Sequence, residues 1–272
     1  MLHSVTNTIK RYFKIYLILI KYSILRDLTY WQNFIICVVI EILYQAAFLT
    51  FFGVIILQTG NIAGWGVNEL IVLLGIDTIT SELLTGLIIV NNSRELPAKI
   101  WSGELDHVLL RPIHPLFNLM LGRPYFPSII GALTGFIIIA IGLIRLNYFP
   151  GIMSIIGAAT VFSSGFLIVF SIVTIFSLLT FFFNDTSTLP RIGERLVYSF
   201  SSRPHSIFSG FLKTIFFFIL PIVYVSSITS ETLRTGIEFQ YLISAVILAI
   251  IFLFITQLFW KVAIKRYTSA GG

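Results

Sequence analysis

Three acidic residues lie within long apolar stretches of the sequence. Glu41 lies in the first of these stretches, and Asp77 and Glu82 lie in the second. An ionised acid inside a bilayer is costly and must face protein or water. These acids could line a substrate path or relay protons, or they could be protonated or hydrogen-bonded residues that join two helices. The sequence leaves both interpretations open.

Residue patterns for hydrolysis or metal binding are missing from the sequence. A phosphate-binding loop G-x-x-x-x-G-K-[ST] is excluded because the chain has no Gly-Lys dipeptide, and it has no G-x-S-x-G elbow. Zinc sites need closely spaced ligands with cysteine or carboxylate support. The histidines are dispersed, at His3, His107, His114 and His205. We therefore expect no catalytic residue, no metal and no cofactor bound by this chain.

The composition is that of a membrane protein. Hydrophobic residues make up 57% of the 272 residues and charged residues only 11%, with a mean hydropathy of +0.94. Soluble domains lie far from these values. The single cysteine, Cys37, excludes an intrachain disulfide. The opening residues have charges spread among apolar ones, so we expect no cleavable signal peptide. We expect an all-α, polytopic protein with one transmembrane domain over residues 1–272.

Six apolar runs have about the 20 residues that a bilayer core requires. They are residues 32–57, 68–90, 125–143, 151–183, 207–226 and 238–260. The fifth run contains Lys213 and Pro221, so we expect it to snorkel at one end and to bend or re-enter at the other. Before the first run, residues 5–28 place Lys10, Lys14 and Lys21 on one stripe of a helix. That pattern predicts an interfacial helix with its lysines facing anionic lipid.

The distribution of basic residues predicts the orientation. With the amino terminus in the cytosol, cytosolic segments hold every basic residue except Arg145 and Arg234. This assignment places Arg203 and Lys213 on the cytosolic side. We expect both termini, the loop 91–124 and the tail 261–272 to be cytosolic. The net charge of +6 then reflects orientation rather than a nucleic-acid partner.

The stretch 100–113, IWSGELDHVLLRPI, is a patterned polar segment within the loop 91–124. On a helix, one side holds Trp101, Leu105, Val108 and Leu109, and another holds Glu104, His107 and Arg111. Pro112 ends the helix because proline lacks a backbone donor and disfavours helix at the residue before it. The pattern predicts a short amphipathic helix whose apolar side contacts either a partner protein or lipid.

The same stretch resembles the signature G-x-L-D-x-x-L-L-R-P of a bacterial family of ABC transporter type-2 permeases. The matching residues are Ile100, Gly103, Leu105, Asp106, Leu109, Leu110, Arg111, Pro112 and Ile113. The chain's end resembles the family's tail, through Trp260, Arg266, Tyr267, Ser269, Ala270 and Gly271. Residues 218–226 resemble its proline-interrupted span. The sequence departs from the family pattern at Arg203-Pro204 and Thr229-Ser230, and these departures leave the shape of the outer end of the fifth span open.

This resemblance implies the membrane-spanning subunit of an ABC exporter in the bacterial plasma (inner) membrane. It implies a second permease subunit, identical or related, and separate ATPase chains that bind ATP and Mg. Residues 5–28 would be the elbow helix, and residues 100–110 the coupling helix that contacts the ATPase. The residues implied in coupling are Trp101, Gly103, Leu105, Asp106, Val108, Leu109, Arg111 and Pro112.

Two other functions fit part of the sequence. A proton-driven secondary transporter would use Glu41, Asp77 and Glu82, but the inverted repeats typical of that class are missing. A membrane anchor without transport would need the three acids to be purely structural. The sequence does not indicate a substrate.

Overall fold

The computed structural model describes residues 2–29, 31–59, 61–183 and 188–267. Within these ranges nearly every element is a helix, and the one sheet is a hairpin of β1 (Asn61–Ile62) and β2 (Trp65–Gly66). The first helices are α1 (Leu2–Thr29), α2 (Trp31–Thr59), α3 (Val67–Leu84), α4 (Leu96–Ser102), α5 (Leu105–Leu109) and α6 (Pro115–Leu121). The remaining helices are α7 (Pro127–Arg145), α8 (Ile152–Leu178), α9 (Thr188–Ser201), α10 (Gly210–Thr214), α11 (Thr229–Thr235) and α12 (Phe239–Ile264). This architecture agrees with the predicted all-α class.

Several of these helices continue in other helical forms. A π-helix Thr85–Glu95 extends α3, and a short 3-10 turn Leu179–Phe181 extends α8. A π-helix Ile215–Ile219 follows α10, and another, Tyr224–Ile228, precedes α11.

Four continuous helices are long and apolar enough to cross a membrane in the described residues. They are Val67–Ile89, Pro127–Arg145, Ile152–Phe181 and Phe239–Ile264. They coincide with the second, third, fourth and sixth predicted runs. The first run is also helical, as α2, and α1 covers the predicted interfacial segment. The helix positions therefore agree with the sequence, while the count of six crossings and the surface position of α1 stay predictions.

The fifth predicted run is broken at Pro221. Its two arms, Gly210–Ile219 and Tyr224–Thr235, meet at an angle of 81°. Proline cannot donate a backbone hydrogen bond, so a continuous helix through Pro221 would lose one of its hydrogen bonds. The predicted break is confirmed. The predicted bounds 207–226 are wrong, because the second arm continues to Thr235.

Helices α3 and α7 form the tightest pair in the fold. A Cβ atom added to Gly135 would lie 2.7 Å from the carbonyl oxygen of Gly75, and one added to Gly75 would lie 2.9 Å from that of Gly135. Small residues let helices in membranes approach backbone to backbone. Helix α3 is thus held in the interior, whereas α12 exposes large apolar side chains such as Ile250 and Phe254.

Helix α9 lies in a region that the sequence predicted to be a cytosolic loop. It packs along α8, where a Cβ atom on Gly193 would lie 2.7 Å from that of Phe176. Tyr198 of α9 shares a 2.7 Å hydrogen bond with Thr85. Just beyond the helix, the hydroxyl of Ser206 donates to the carbonyl of Ala63 in the hairpin. Helix α9 therefore returns the chain from the end of α8 to the hairpin end of the molecule.

This return corrects the predicted sidedness of two basic residues. Arg203 lines a cavity with Ile62 and Leu70, near the hairpin. Lys213 lies over the ring of Phe217, which itself contacts His205 at the same end. The sequence placed Arg203 and Lys213 opposite the hairpin. The charge rule failed because the polar face of α9 made a returning helix resemble a loop.

Cysteine labelling tests this arrangement. In a Cys37→Ser background, Asn61→Cys and Ser209→Cys should react from the same side of the membrane, because both positions are exposed at the hairpin end. Glu104→Cys, exposed at the opposite end, should react from the other side. The measurement is modification by an impermeant maleimide in intact cells and in inverted vesicles. Labelling of Ser209→Cys together with Glu104→Cys would restore the loop prediction.

Candidate functional site

The stretch 100–113 folds as two short helices. Helix α4 ends at Ser102, Gly103 has a φ of 74°, and α5 begins at Leu105. A left-handed backbone is easy for glycine and ends helices commonly. The prediction of one helix over residues 100–110 is therefore wrong, because Gly103 caps the first helix. The glycine was the sequence signal for this break.

The predicted apolar face is divided between the interior and the surface. Leu105 is 0% exposed and Val108 is 5% exposed, while Trp101 is 59% exposed. Leu109 is partly buried against the same interior cluster. The interior cluster comprises Leu96, Leu105, Val108, Leu116, Leu119, Met120, Leu178, Trp260 and Ala263. The prediction of a single outward apolar face is thus wrong, because the chain's own helices α6, α8 and α12 cover Leu105 and Val108.

The surface of this segment combines apolar and charged residues. Leu110, which the helical pattern did not place on the apolar face, is 83% exposed. We call the coupling surface the set of exposed residues Trp101, Glu104, His107, Leu110, Arg111 and Pro112. Short backbone bonds fix its far end: the amide of Leu110 donates to Asp106 at 3.1 Å and that of Ile113 to Arg111 at 2.8 Å. Leu110 is the exposed apolar residue that the sequence pattern missed.

The stretch 100–113 and the end of the chain, which both resemble the permease family in sequence, lie close together in the structure. The ring of Phe181 lies 6.2 Å from that of Trp260 and 6.3 Å from that of Tyr267. The pKa of the Tyr267 phenol is raised by burial and by the neighbouring Asp106 carboxylate. Asp106 thus lies beside the tail of the chain, a position that spacing alone could not reveal. The tail residues Ser269, Ala270 and Gly271 lie outside the described residues.

Helix α1 contacts the last residue of the coupling surface and the segment just after it. A guanidinium nitrogen of Arg11 donates to the carbonyl of Pro112 at 2.8 Å, and the amide of His114 donates to the Tyr12 hydroxyl at 2.9 Å. The rings of Tyr12 and Phe117 meet edge to face at 5.0 Å. The coupling surface is therefore held from one side by the first helix of the chain.

An ion-pair network holds the other side. The Glu95 carboxylate accepts from Lys99 at 2.7 Å and from Arg123 at 2.5 Å. Burial acts to raise the pKa of Glu95, but the two cations outweigh it and lower the pKa below its ordinary value. Glu95 stays ionised at neutral pH and links the end of the π-helix to the loop before α7.

The buried acids of α3 lie at helix interfaces. Asp77 is buried, and its Oδ1 accepts a hydrogen bond from Ser226 of the helical arm before α11 at 3.3 Å. Glu82 lies against α7, where a Cβ atom on Gly131 would fall 2.4 Å from its carboxyl carbon. The side chain of Glu41 lies outside the described residues. The structure thus places Asp77 and Glu82 between different helix pairs, and their role stays a prediction.

A polar cluster at the hairpin end was not predicted. His205 donates its amide to the Ser227 hydroxyl at 2.7 Å, and its Nε2 lies 3.5 Å from Glu231. Arg234 pairs with Glu69 and lies 4.7 Å over the ring of Trp65. This cluster joins the hairpin, α3 and α11. Sequence reasoning treated His205 as a loop residue because its partners are distant along the chain.

The hairpin-end cluster predicts a pH dependence of stability. The pKa of His205 is lowered from 6.5, first by burial and then by the charges of Lys213 and Arg234. Glu69, Glu231 and Glu238 are the nearby acids. The unfolded chain therefore takes up this proton more readily than the folded protein does. Stability is retained above pH 6.5 and is lost as the pH falls from there through the lowered pKa.

The loss of stability is measured as the decrease in the unfolding temperature of the purified protein between about pH 7.5 and about pH 5.5. His205→Gln should show a smaller decrease than the wild type, because glutamine takes up no proton. His107→Gln, at the opposite end, serves as the matched control and should keep the wild-type decrease. An unchanged decrease in His205→Gln would exclude His205 as the source.

The comparisons with known proteins agree with this architecture. Residues 42–271 match the family described as ABC-2 family transporter protein, which covers more than half of the chain. No curated protein and no solved structure gave a match. The matched residues include the coupling surface, the buried acids of α3 and the hairpin-end cluster. This chain therefore belongs to the ABC-2 family of membrane transporter components.

Proposed function

We propose that this chain is the permease subunit of an ATP-driven ABC exporter in a bacterial plasma membrane. It pairs with a second permease subunit to form the translocation path, and both termini lie in the cytosol. ATP and Mg are bound by separate ATPase chains, so this subunit itself is not an enzyme. Family membership and the long apolar helices support a transport role. Export, pairing and the ATPase partner are the additional steps of the proposal.

The observation that carries the coupling role is the packing beneath the coupling surface. Leu105 and Val108 lie in one cluster with Leu178 of α8 and Trp260 of α12. Close-packed interiors transmit displacement because they have little free volume. A force applied to α5 by a partner would therefore reach the ends of two long helices through this cluster.

The exposed residues of the coupling surface support a partner contact at this place. Trp101 and Leu110 extend apolar side chains into solvent at 59% and 83% exposure, with Glu104 and His107 exposed beside them. Large apolar anchors surrounded by polar residues are typical of protein interfaces. Leu105 and Val108 act as the rigid support. In this arrangement ATP-driven motion of the ATPase shifts α5, α8 and α12 together.

An exposed apolar surface is also available for a second permease subunit. Helices α7 and α12 expose large side chains such as Phe136 and Ile137 on α7 and Phe254 on α12. In a single subunit these side chains face lipid. In the proposed pair, part of the same surface encloses the path with the other subunit.

A proton-coupled transporter remains the second candidate because Asp77 and Glu82 are buried acids. Asp77 contacts Ser226, and Glu82 packs against Gly131 of α7. These contacts favour the helix-joining role. We therefore assign both acids to helix packing within the exporter.

The docking prediction concerns Leu110. Leu110→Asp should release the ATPase from the purified permease, because an acid would replace an apolar anchor. Loss of one such anchor costs on the order of 2 kcal/mol, which weakens binding more than tenfold. Phe149→Asp is the matched control, since Phe149 is 84% exposed at the other end of α7. The measurement is the ATPase retained after co-purification. Full retention in Leu110→Asp, with a normal gel-filtration profile, would move the docking site elsewhere.

The amide variants separate the two candidate functions. Asp77→Asn and Glu82→Gln can keep a hydrogen bond, so transport in membrane vesicles should largely survive if the acids join helices. A proton relay would lose transport in both variants. The wild type should require ATP and should continue when a protonophore collapses the proton gradient. Transport that stops with the gradient would contradict the exporter proposal.

A further inference from the structure

A cavity of about 440 Å³ opens at the coupling surface, which contributes three of its lining residues, Glu104, His107 and Arg111. Cationic side chains dominate its polar lining, at Lys99, Arg111 and Arg123. The same walls hold Glu104, His107 and Asn118. Its size falls within the range of small-ligand sites, which is about 300 to 1,000 Å³. The cavity is therefore large enough for a small anionic group with its substituents.

Two of the three cations are fixed in place. Lys99 and Arg123 both donate to Glu95, at 2.7 and 2.5 Å, from the two sides of the cavity. The third, Arg111, extends a guanidinium that makes no hydrogen bond or ion pair within the described ranges. An arginine fork matches the oxygens of a phosphate group. Arg111 can thus bind an anion directly, and Lys99 and Arg123 add positive charge to the same cavity.

The charge of the site favours a singly charged anion. Three cations face two carboxylates, Glu95 and the exposed Glu104, so the neighbourhood carries one net positive charge. A phosphodiester carries one negative charge and would neutralise it. A phosphate monoester carries about 1.5 to 2 negative charges at neutral pH and would leave an excess.

The position of the cavity indicates where the phosphodiester comes from. Helix α1 holds the adjoining segment through Pro112 and His114. The same helix exposes Phe13 and Leu17 beside basic residues such as Lys14. A helix that exposes both apolar and basic side chains binds at the headgroup level of a bilayer. The predicted interfacial position of α1 would therefore place the cavity next to the layer in which lipid phosphodiesters are concentrated.

We propose that this cavity is a binding site for the phosphodiester headgroup of an anionic membrane lipid. Arg111 forms the direct contact, Lys99 and Arg123 supply the attracting charge, and Asn118 offers an amide donor. The headgroup would join α4 to the loop before α7 through a ligand that the membrane supplies. The proposal rests on the membrane position of the chain, and its test needs no ATPase partner.

The test uses the full chain in detergent with added dioleoylphosphatidylglycerol, and native mass spectrometry measures the lipid that it retains. The wild type should retain this lipid in preference to dioleoylphosphatidylcholine. Arg111→Gln should bind it roughly fivefold more weakly or worse, since one basic residue contributes about 1 kcal/mol to anionic-lipid binding. Arg111→Lys should bind with intermediate affinity. Arg191→Gln, an exposed arginine on α9, should behave as the wild type.

Three results would overturn the proposal. The first is equal retention of the two lipids by the wild type. The second is wild-type retention of dioleoylphosphatidylglycerol by an Arg111→Gln protein whose gel-filtration profile is normal. The third is displacement of the retained lipid by millimolar glycerol phosphate, which would assign the cavity to a soluble phosphate ester. If Arg111→Gln does not fold, the comparison of Arg111→Lys with the wild type decides the second point.

Discussion

The burial of Leu105 and Val108 beneath a short surface helix is the constraint on which the functional end of this protein depends. Both side chains are inside the chain's own core, in one apolar cluster with residues from the ends of two long helices. An interior at this density resists even one added or removed methylene group. We therefore expect displacement of the surface above it to be transmitted to α8 and α12. Attachment of α1 through Arg11 and Tyr12 extends the same rigid unit to the start of the chain.

Different interactions stabilise the hairpin end of the molecule. There the contacts are polar and charged, with His205, Glu231, Glu69 and Arg234 joining three segments of the chain. Such contacts respond to pH and ionic conditions, whereas the apolar cluster at the coupling end does not. Helix α3 connects the two ends and is fixed by its close approach to α7. The molecule thus has an apolar cluster beneath the proposed coupling surface at one end and a cluster of titratable groups at the other.

Much of the helical architecture was predictable because a bilayer demands long apolar helices. The runs that became α3, α7, α8 and α12 needed only this rule, and Pro221 correctly marked a break. Helix α9 escaped prediction because one face is polar and the segment is short. The charge rule assigns basic residues to the loops between predicted spans. Because α9 was not predicted as a helix that returns to the hairpin end, the rule placed Arg203 and Lys213 at the wrong end.

The candidate site was predicted in position but not in geometry. Hydrophobic periodicity assumes a continuous helix, so it could not allow for the left-handed turn at Gly103. It also cannot distinguish an apolar residue that contacts a partner from one that packs against its own chain. Leu105 belongs to the second kind, and we propose that Leu110 belongs to the first. Separating them requires knowing that Leu178 and Trp260 lie nearby, and this depends on contacts far apart in the sequence.

The acids of α3 show how helical geometry limits the functions that a sequence pattern permits. Asp77 and Glu82 are five residues apart, which places them roughly 140° apart around a helix. The structure agrees, since Asp77 meets Ser226 and Glu82 lies against α7. A relay that passed a proton between these two carboxyl groups would need both of them to reach one water-lined path. Two acids that face different neighbours fit instead the helix-joining role proposed for them, in which α3 is held to two helices at once.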